Sequence, residues 1–417
     1  MNDGPPHRGA DGGATGTGVL PEARRPVALP TGAKRLARIL VPNLFVLAAI
    51  SAAVLTLPFL GIGAATFNHH YVAVPLNVGI VPVGQPIEVV PFANVVVRLR
   101  LTSLSDLSQA LNPGVLTSVG SHWTLQQPVI IASGTHLTLR GPGTLVLAPG
   151  SFLEISQGGS ASLTNLAIQS SVGGSSRGFL FDSGGALVLN HDEIRSLGRL
   201  ATFTTGITFA NAVKGSGVLN SVVTGNTDGV YVVATSGILL EGNVISASVL
   251  DGIYLRDQVS NIVVQANSVT ASGLDNLAVE DAGFNVLIAH NTFGSAMRYG
   301  VLLYNNARPI TIRANRLEGS IDGVVVNATS RTKIVANIFS GVQRFGIRLS
   351  GRSIGNEVSS NRLDHCAVGV YLTSGATKNS ILMNRFVADG ENIRIRLSAP
   401  RNVVRPRPSN SEIDLRP

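Results

Sequence analysis

Tyr231, Tyr254, Arg256, Asp257, Glu280, Asp281 and Tyr304 bring phenols, a guanidinium and carboxylates into step along the chain. Tyr231 and Tyr254 lie 23 residues apart, and Arg256 and Glu280, Asp257 and Asp281, and Glu280 and Tyr304 lie 24 apart. A guanidinium neutralises an anionic group, and a phenol of lowered pKa passes a proton. Two carboxylates about 5–6.5 Å apart reach the geometry of glycoside cleavage. Aromatic faces beside such groups suit a sugar ring. The bland alternative is a cross-strand Arg256–Glu280 ion pair on an exposed face, which stabilises little.

The spacing belongs to the whole second half of the chain. A glycine- or asparagine-led strand signature opens at Gly206, Gly229, Gly252, Asn276, Gly300, Gly323, Gly346, Gly369 and Asn392, always 23 or 24 residues on. A β-rich unit repeating at this period cannot bury its apolar face alone, so copies stack and share one core. The fold class expected is all-β, a right-handed parallel β-helix of about 23-residue coils, preceded by one transmembrane helix.

Side chains alternate along a strand, so the first and third residues after the glycine point inward and the second and fourth outward. The outward columns then run through Tyr231, Tyr254, Arg348 and Tyr371, and through Arg256, Glu280 and Tyr304. Coils lie about 4.8 Å apart, which gathers Tyr231 to Tyr304 into one patch. The candidate catalytic residues are Asp257, Arg256, Tyr254, Glu280 and Asp281. The candidate substrate-binding residues are Tyr231, Tyr304, Asn305, Arg348 and Tyr371. Asp228, Asp251, Asp275 and Asp322, beside the strand openings, are expected to serve turns.

A second column holds Asn220, Asn243, Asn267, Asn291, Asn315, Asn337, Asn361 and Asn384. Asparagine tolerates the left-handed conformation of a tight corner, and stacked amides can donate and accept in a ladder. This column is structural. His290, beside it, reads as a surface histidine.

Of the 417 residues 44% are hydrophobic but only 5% aromatic, with 46 glycines and one cysteine. Such a mix suits thin coils filled by β-branched side chains, and Cys366 alone excludes an intrachain disulfide framework. The net charge of +8 concentrates in residues 1–38 and 394–417, leaving a nearly neutral body, which argues against a nucleic-acid groove. No Ser-His-Asp arrangement, phosphate loop or metal-ligand spacing is present, so no metal or cofactor is expected; scattered acids leave calcium open.

No Asp, Glu, Lys or Arg occurs between Arg38 and Glu88. Residues 39–67 are long and apolar enough to span a bilayer, with Lys34, Arg35 and Arg38 on the cytoplasmic side. The expected organisation is a disordered cytoplasmic tail (1–38), a signal anchor (39–67), a linker (68–100), the β-helix (101–397) and a basic, Pro-rich tail (398–417). A short helix over Ser105–Leu111 would cover the open first coil. Residues 170–205 look like a looser stretch that breaks the period.

Residues from about 101 to 397 resemble the exported mannuronan epimerase group of right-handed β-helix proteins. The likeness rests on the Leu101-to-Leu111 opening, Arg177-Gly-Phe-Leu-Phe-Asp182, Ser196-Leu-Gly198, Gly229-Val-Tyr231 and the Gly252 strand. The resemblance implies inversion of carbon 5 in a uronate polymer. In that family an Asp-Pro-His-Asp motif follows the Gly-Ile of one coil. Here the stretch reads Tyr254-Leu-Arg256-Asp257, so Asp257 alone matches and Arg256 stands at the histidine. Glu280 and Asp281 fall where the family has a carboxylate-neutralising arginine.

The expectation is a single-pass cell-membrane protein whose extracytoplasmic β-helix binds a polysaccharide, with epimerase or lyase action on it left open by the degenerate motif. The alternatives are a non-catalytic glycan-binding or envelope scaffold, and a glycoside hydrolase using Asp257, Glu280 and Asp281.

Overall fold

The computed structural model describes residues 99–171, 177–199, 204–373, 375–396 and 398–414. The tail, the expected membrane span at 39–67 and most of the linker lie outside them. Among the described residues no helix is long and apolar enough to cross a membrane.

Three parallel sheets of 13 described strands each wind along one axis, every strand pairing with its counterpart one coil away. The first sheet runs from Leu99–Leu101 to Val403–Arg405, the second from Val129–Ile131 to Ser411–Asp414, the third from Leu116–Val119 to Arg385–Val387. The one antiparallel pair among them joins Leu116–Val119 to His122–Leu125. The period follows from one strand per sheet per coil. The second sheet carries the glycine-led strands, with Tyr231↔Tyr254 and Arg256↔Glu280 in register as the repeat requires.

The inward residues are those expected. Ile207, Phe209, Val230, Val232, Ile253, Leu255, Leu277 and Val279 are fully buried in one continuous core that runs the length of the solenoid. The strand-opening glycines fit a crowded corner. A Cβ at Gly252 would lie 2.4 Å from Val269 Cγ1, and one at Gly323 would lie 2.5 Å from the carbonyl oxygen of Gly346. Asn276 replaces glycine by turning its amide into bonds with the Gly294 carbonyl (2.6 Å) and the Ser272 hydroxyl (2.9 Å).

The asparagine column is a ladder, with one correction to its geometry. From Asn243 to Asn384 each Nδ2 donates to the next Oδ1 at 2.9–3.0 Å. The left-handed residue is the one before each asparagine: Ala266 (φ 54°), His290 (φ 57°), Ala314 (φ 53°) and Ala336 (φ 57°). Asn220 belongs to that exposed left-handed column (φ 46°), and Ser221 heads the ladder by donating its N–H to Asn243. His290 is exposed, as expected. A second ladder, Asn356–Asn379–Asn402, was hidden by its shorter run.

Helix α1 (Leu104–Ala110) starts at Ser103, whose hydroxyl accepts the Asp106 N–H at 3.0 Å. Its Leu104 and Leu107 enter the core at the first coils, the cover expected there. Two boundaries shift. Strands Phe179–Ser183, Ala186–Asn190 and Glu193–Arg195 pair normally, so the stretch around 170–205 keeps the coil where it is described. The expected tail at 398–417 contains Val403–Arg405 and Ser411–Asp414, which extend two sheets.

Candidate functional site

The ends of the strands Val230–Val233, Ile253–Arg256, Asp275–Glu280 and Tyr299–Tyr304 bring most of the candidate residues together. Register sets Tyr231 beside Tyr254, and Arg256, Glu280 and Tyr304 in one column. Asp257 (φ 56°), Asp281 (φ 50°) and Asn305 (φ 55°) form the next column, a left-handed corner that Asp and Asn tolerate. Their placement has a turn explanation as well as a chemical one.

The side chains are paired. The Tyr254 hydroxyl donates to Glu280 Oε2 at 2.6 Å. Arg256 Nε lies 3.3 Å from Asp257, and Asn305 Nδ2 donates to Asp281. The rings of Tyr231 and Tyr254 stack with centroids 5.2 Å apart.

Exposure differs from expectation. Tyr231, Tyr254 and Arg256 are only 6–7% exposed. Tyr231 and Tyr254, with Ala210, Val233, Ala278, Leu302 and Val325, form a second apolar cluster on the outer face of the sheet. Glu280, Asp281, Asp257 and Tyr304 are half-buried, and Asn305 is exposed. The accessible edge of the patch is therefore its acids, Tyr304 and Asn305.

Burial also fixes the protonation states. It pushes the Tyr231 phenol well up, and it does the same to Tyr254, whose neighbour Glu280 adds to the shift. Both shifts run opposite to the lowered pKa that proton abstraction by these phenols would use. Burial works against the charge on Arg256, but Tyr254 and Asp257 hold its pKa above the usual arginine range. Desolvation raises Asp281 against the opposing hydrogen bond from Asn305.

Arg348 and Tyr371 lie elsewhere on the same face, four and five coils from Tyr254, so Arg348 is about 19 Å away. They join a second group. Arg348 donates to the Tyr299 hydroxyl (3.3 Å) and lies 3.4 Å from Asp322, and Tyr371 stacks on Phe345 at 4.5 Å. Arg298 and Arg344 lie over Tyr299 and Phe345 while pairing with Asp275 and Asp322.

Asp275 and Asp322 are fully buried ion-pair partners, and Asp228 and Asp251 are buried too. The Asp228 and Asp251 carboxylates each accept the N–H of the aspartate one coil on. The turn reading missed this. Asp322, the residue before the strand-opening glycine, reaches Arg348 on the next coil at 3.4 Å. The alternation of Asp with aromatic residues at Asp275, Tyr299, Asp322 and Phe345, with Arg298 and Arg344 just ahead of the aromatics, was the available signal.

The fold is that of a right-handed parallel β-helix protein. The model of the right handed beta helix region matches residues 151–317, and that of the periplasmic copper-binding protein NosD matches 275–403. A search of curated proteins finds no match. Among solved structures, the periplasmic alginate epimerase AlgG is similar at 16% identity and TM-score 0.63, over 75% of this chain and 82% of that one. The Azotobacter vinelandii mannuronan C-5 epimerase AlgE4 A-module is similar at 16% identity and TM-score 0.53, over 68% of this chain and 88% of that one. The Dettilon tailspike protein gives 15% identity and TM-score 0.50, over 64% of this chain and 61% of that one. At such identities the likeness establishes the fold alone.

Copper does not fit the described residues. No group of three His, Cys, Asp or Glu side chains among them is placed to hold a metal ion. Cys366 is buried, and burial, with Asp389 adding, pushes its thiol up to about 12, far from the thiolate that soft metals take.

Proposed function

We propose that this chain binds a polysaccharide along the outer edge of its second sheet, at Asp257, Glu280, Asp281, Tyr304 and Asn305, with Tyr254 and Arg256 buried behind them as supports. The observation that carries the reading is the meeting of phenol, guanidinium and carboxylates on successive coils, with Tyr254 locked to Glu280 at 2.6 Å and the acids half-open. A ridged row of donors and acceptors at about 4.8 Å spacing suits a repeating polymer. Tyr231 underlies the patch, while Arg348 and Tyr371 extend it along the face. The resemblance to mannuronan epimerases supports a glycan ligand. Residues 39–67 tether the protein to the membrane as a single-pass anchor, with the β-helix outside the cytoplasm.

For the chemistry we favour binding over uronate epimerisation. Both phenols are held protonated, and Glu280 and Asp281 repel a uronate carboxylate where an arginine would attract it. One observation favours a second reading, glycoside hydrolysis. Desolvation, with the Asp257 carboxylate adding, shifts Asp281 upward, the direction a general acid requires.

Proton NMR of the full chain with polymannuronate and with neutral mannan, each in heavy water, separates these readings. Line broadening without conversion is the expected result. Deuterium at carbon 5 or unsaturated ends would instead demonstrate uronate chemistry, and new reducing ends hydrolysis. Unchanged spectra with both polymers would remove the glycan reading for them.

A further inference from the structure

The outer face of the second sheet ends in a cavity of about 570 Å³, lined by Ala367, Gly390, Glu391, Arg394, Ser409, Asn410 and Ser411. It is an open groove and not an enclosed pocket. It forms because the chain returns after Val403–Arg405 and lays Ser411–Asp414 beside Glu391–Arg396, with Ser411 level with Ile393. Asn410 closes one wall by donating its amide to the Gly390 carbonyl at 3.0 Å.

The lining is chemically specific. Glu391 is 8% exposed and spends Oε2 on Arg394, at 2.7 Å to Nε and 2.6 Å to a terminal nitrogen. Its Oε1 has no hydrogen-bond partner. Glu391 and Arg394 pair with each other, so the lining carries no net formal charge. What remains is an unsatisfied carboxylate oxygen, the Ser409 hydroxyl, the Ser411 hydroxyl as an acceptor, since its hydrogen goes to the Pro408 carbonyl, and the Asn410 amide beyond its bond to Gly390; no aromatic ring lines the wall. That set fits a neutral group carrying several hydroxyls. Oε1 is closed to solvent, so a ligand hydroxyl reaches it only after a small turn of the side chain. Leaving a buried acceptor unpaired is costly, and a hydroxyl donor would relieve that cost.

The cavity is continuous in register with the candidate site. Arg394 occupies the column of Tyr254, Arg348 and Tyr371, six coils beyond Tyr254, or about 29 Å. We infer that the cavity at Glu391, Arg394 and Ser409–Ser411 is a separate subsite holding a neutral, hydroxyl-rich sugar unit of a chain that also crosses the Tyr254–Glu280 edge. This inference rests on the polysaccharide reading above.

The test is a calorimetric titration of the full chain with mannohexaose, cellohexaose and xylohexaose. Ser409 is exposed and outside every strand, so Ser409→Trp fills the cavity without touching the ladders. The expected result is that at least one hexaose binds the wild type and binds Ser409→Trp about tenfold more weakly or not at all. Val119→Trp, which adds the same bulk at an exposed position outside the cavity, should keep its affinity, and melting temperatures should confirm that both variants fold. Equal binding to wild type and Ser409→Trp would overturn the subsite. If Tyr254→Phe still weakened the same ligand, the polysaccharide reading would survive that failure. Absence of binding to the wild type by all three hexaoses would overturn the subsite as well. The polysaccharide reading would fall with it only if polymannuronate and mannan also failed to bind.

Discussion

Tyr254 donates a 2.6 Å hydrogen bond to Glu280, one coil further along the solenoid. The bond ties a buried ring to a half-exposed carboxylate, so it both fixes the acid's orientation and keeps the phenol protonated. Tyr254→Phe should therefore keep the fold, lose about 1–2 kcal/mol of stability and weaken glycan binding. Circular dichroism melts together with a binding titration check both effects. Unchanged affinity would mean the orientation of Glu280 is irrelevant to the ligand.

The asparagine ladder predicts a larger loss away from the candidate site. Asn315 accepts the Asn291 N–H (2.8 Å) and Nδ2 (3.0 Å), and it donates to the Ile288 carbonyl and to Asn337. Asn315→Ala orphans buried groups on both neighbouring coils and should cost about 2–5 kcal/mol in denaturant melts. The exposed left-handed neighbour of the ladder, His290, should change to Asn with an effect within about 0.5 kcal/mol. Comparable losses for the two would contradict the placement of the ladder.

Buried and exposed ion pairs should separate in the same way. Arg298→Met leaves the fully buried Asp275 carboxylate without its bidentate partner and should cost about 3–5 kcal/mol. Arg316 faces Glu318 with both side chains exposed, so Arg316→Met should stay within about 1 kcal/mol. Urea denaturation midpoints distinguish the two directly.

Asp192 predicts the pH dependence of stability. Burial raises its carboxyl to about 6, against bonds from the Leu166 and Asn190 N–H groups. A carboxyl with a raised folded pKa binds its proton more tightly when folded. Its contribution is complete below the unfolded value of 3.8 and is lost as pH rises through about 6. The difference of roughly two units corresponds to about 3 kcal/mol. Asp182, raised in the same direction by burial, adds with the same sign. The denaturation midpoint should fall between pH 5 and pH 7.5, and Asp192→Asn should flatten that slope. A slope that is the same in wild type and Asp192→Asn would show that Asp192 does not carry it.

Much of this was legible in the residues. The glycine-led period gave the coil, and alternation placed Ile253, Leu255, Leu277 and Val279 in the core because one pattern recurs on every coil. Less legible was which turn residue carries the left-handed backbone. Alanine at 266, 314 and 336 has no intrinsic preference for it, yet the asparagine after it fixes the corner. The candidate patch was legible as a set of neighbours but not as a surface. Register tells which side chains meet, whereas exposure depends on ring stacking and on the pairing of buried Asp275 and Asp322 with arginines one coil on. The cavity at Glu391 was invisible because the segment that closes it, Ser409–Ser411, lies past the last regular repeat.

The central claim is that a polysaccharide lies against the strand ends at Tyr254, Glu280 and Asp281. Its most direct test is a titration of the full chain with polymannuronate and neutral mannan, comparing wild type with the Glu280→Gln, Asp281→Asn double variant. These substitutions keep size and shape and change only charge and hydrogen-bonding character at the half-open edge. The account predicts that the wild type binds mannan more tightly than polymannuronate, and that the double variant narrows or reverses the preference by relieving repulsion of the uronate carboxylate. Wild type and variant with the same affinities for both polymers would contradict it.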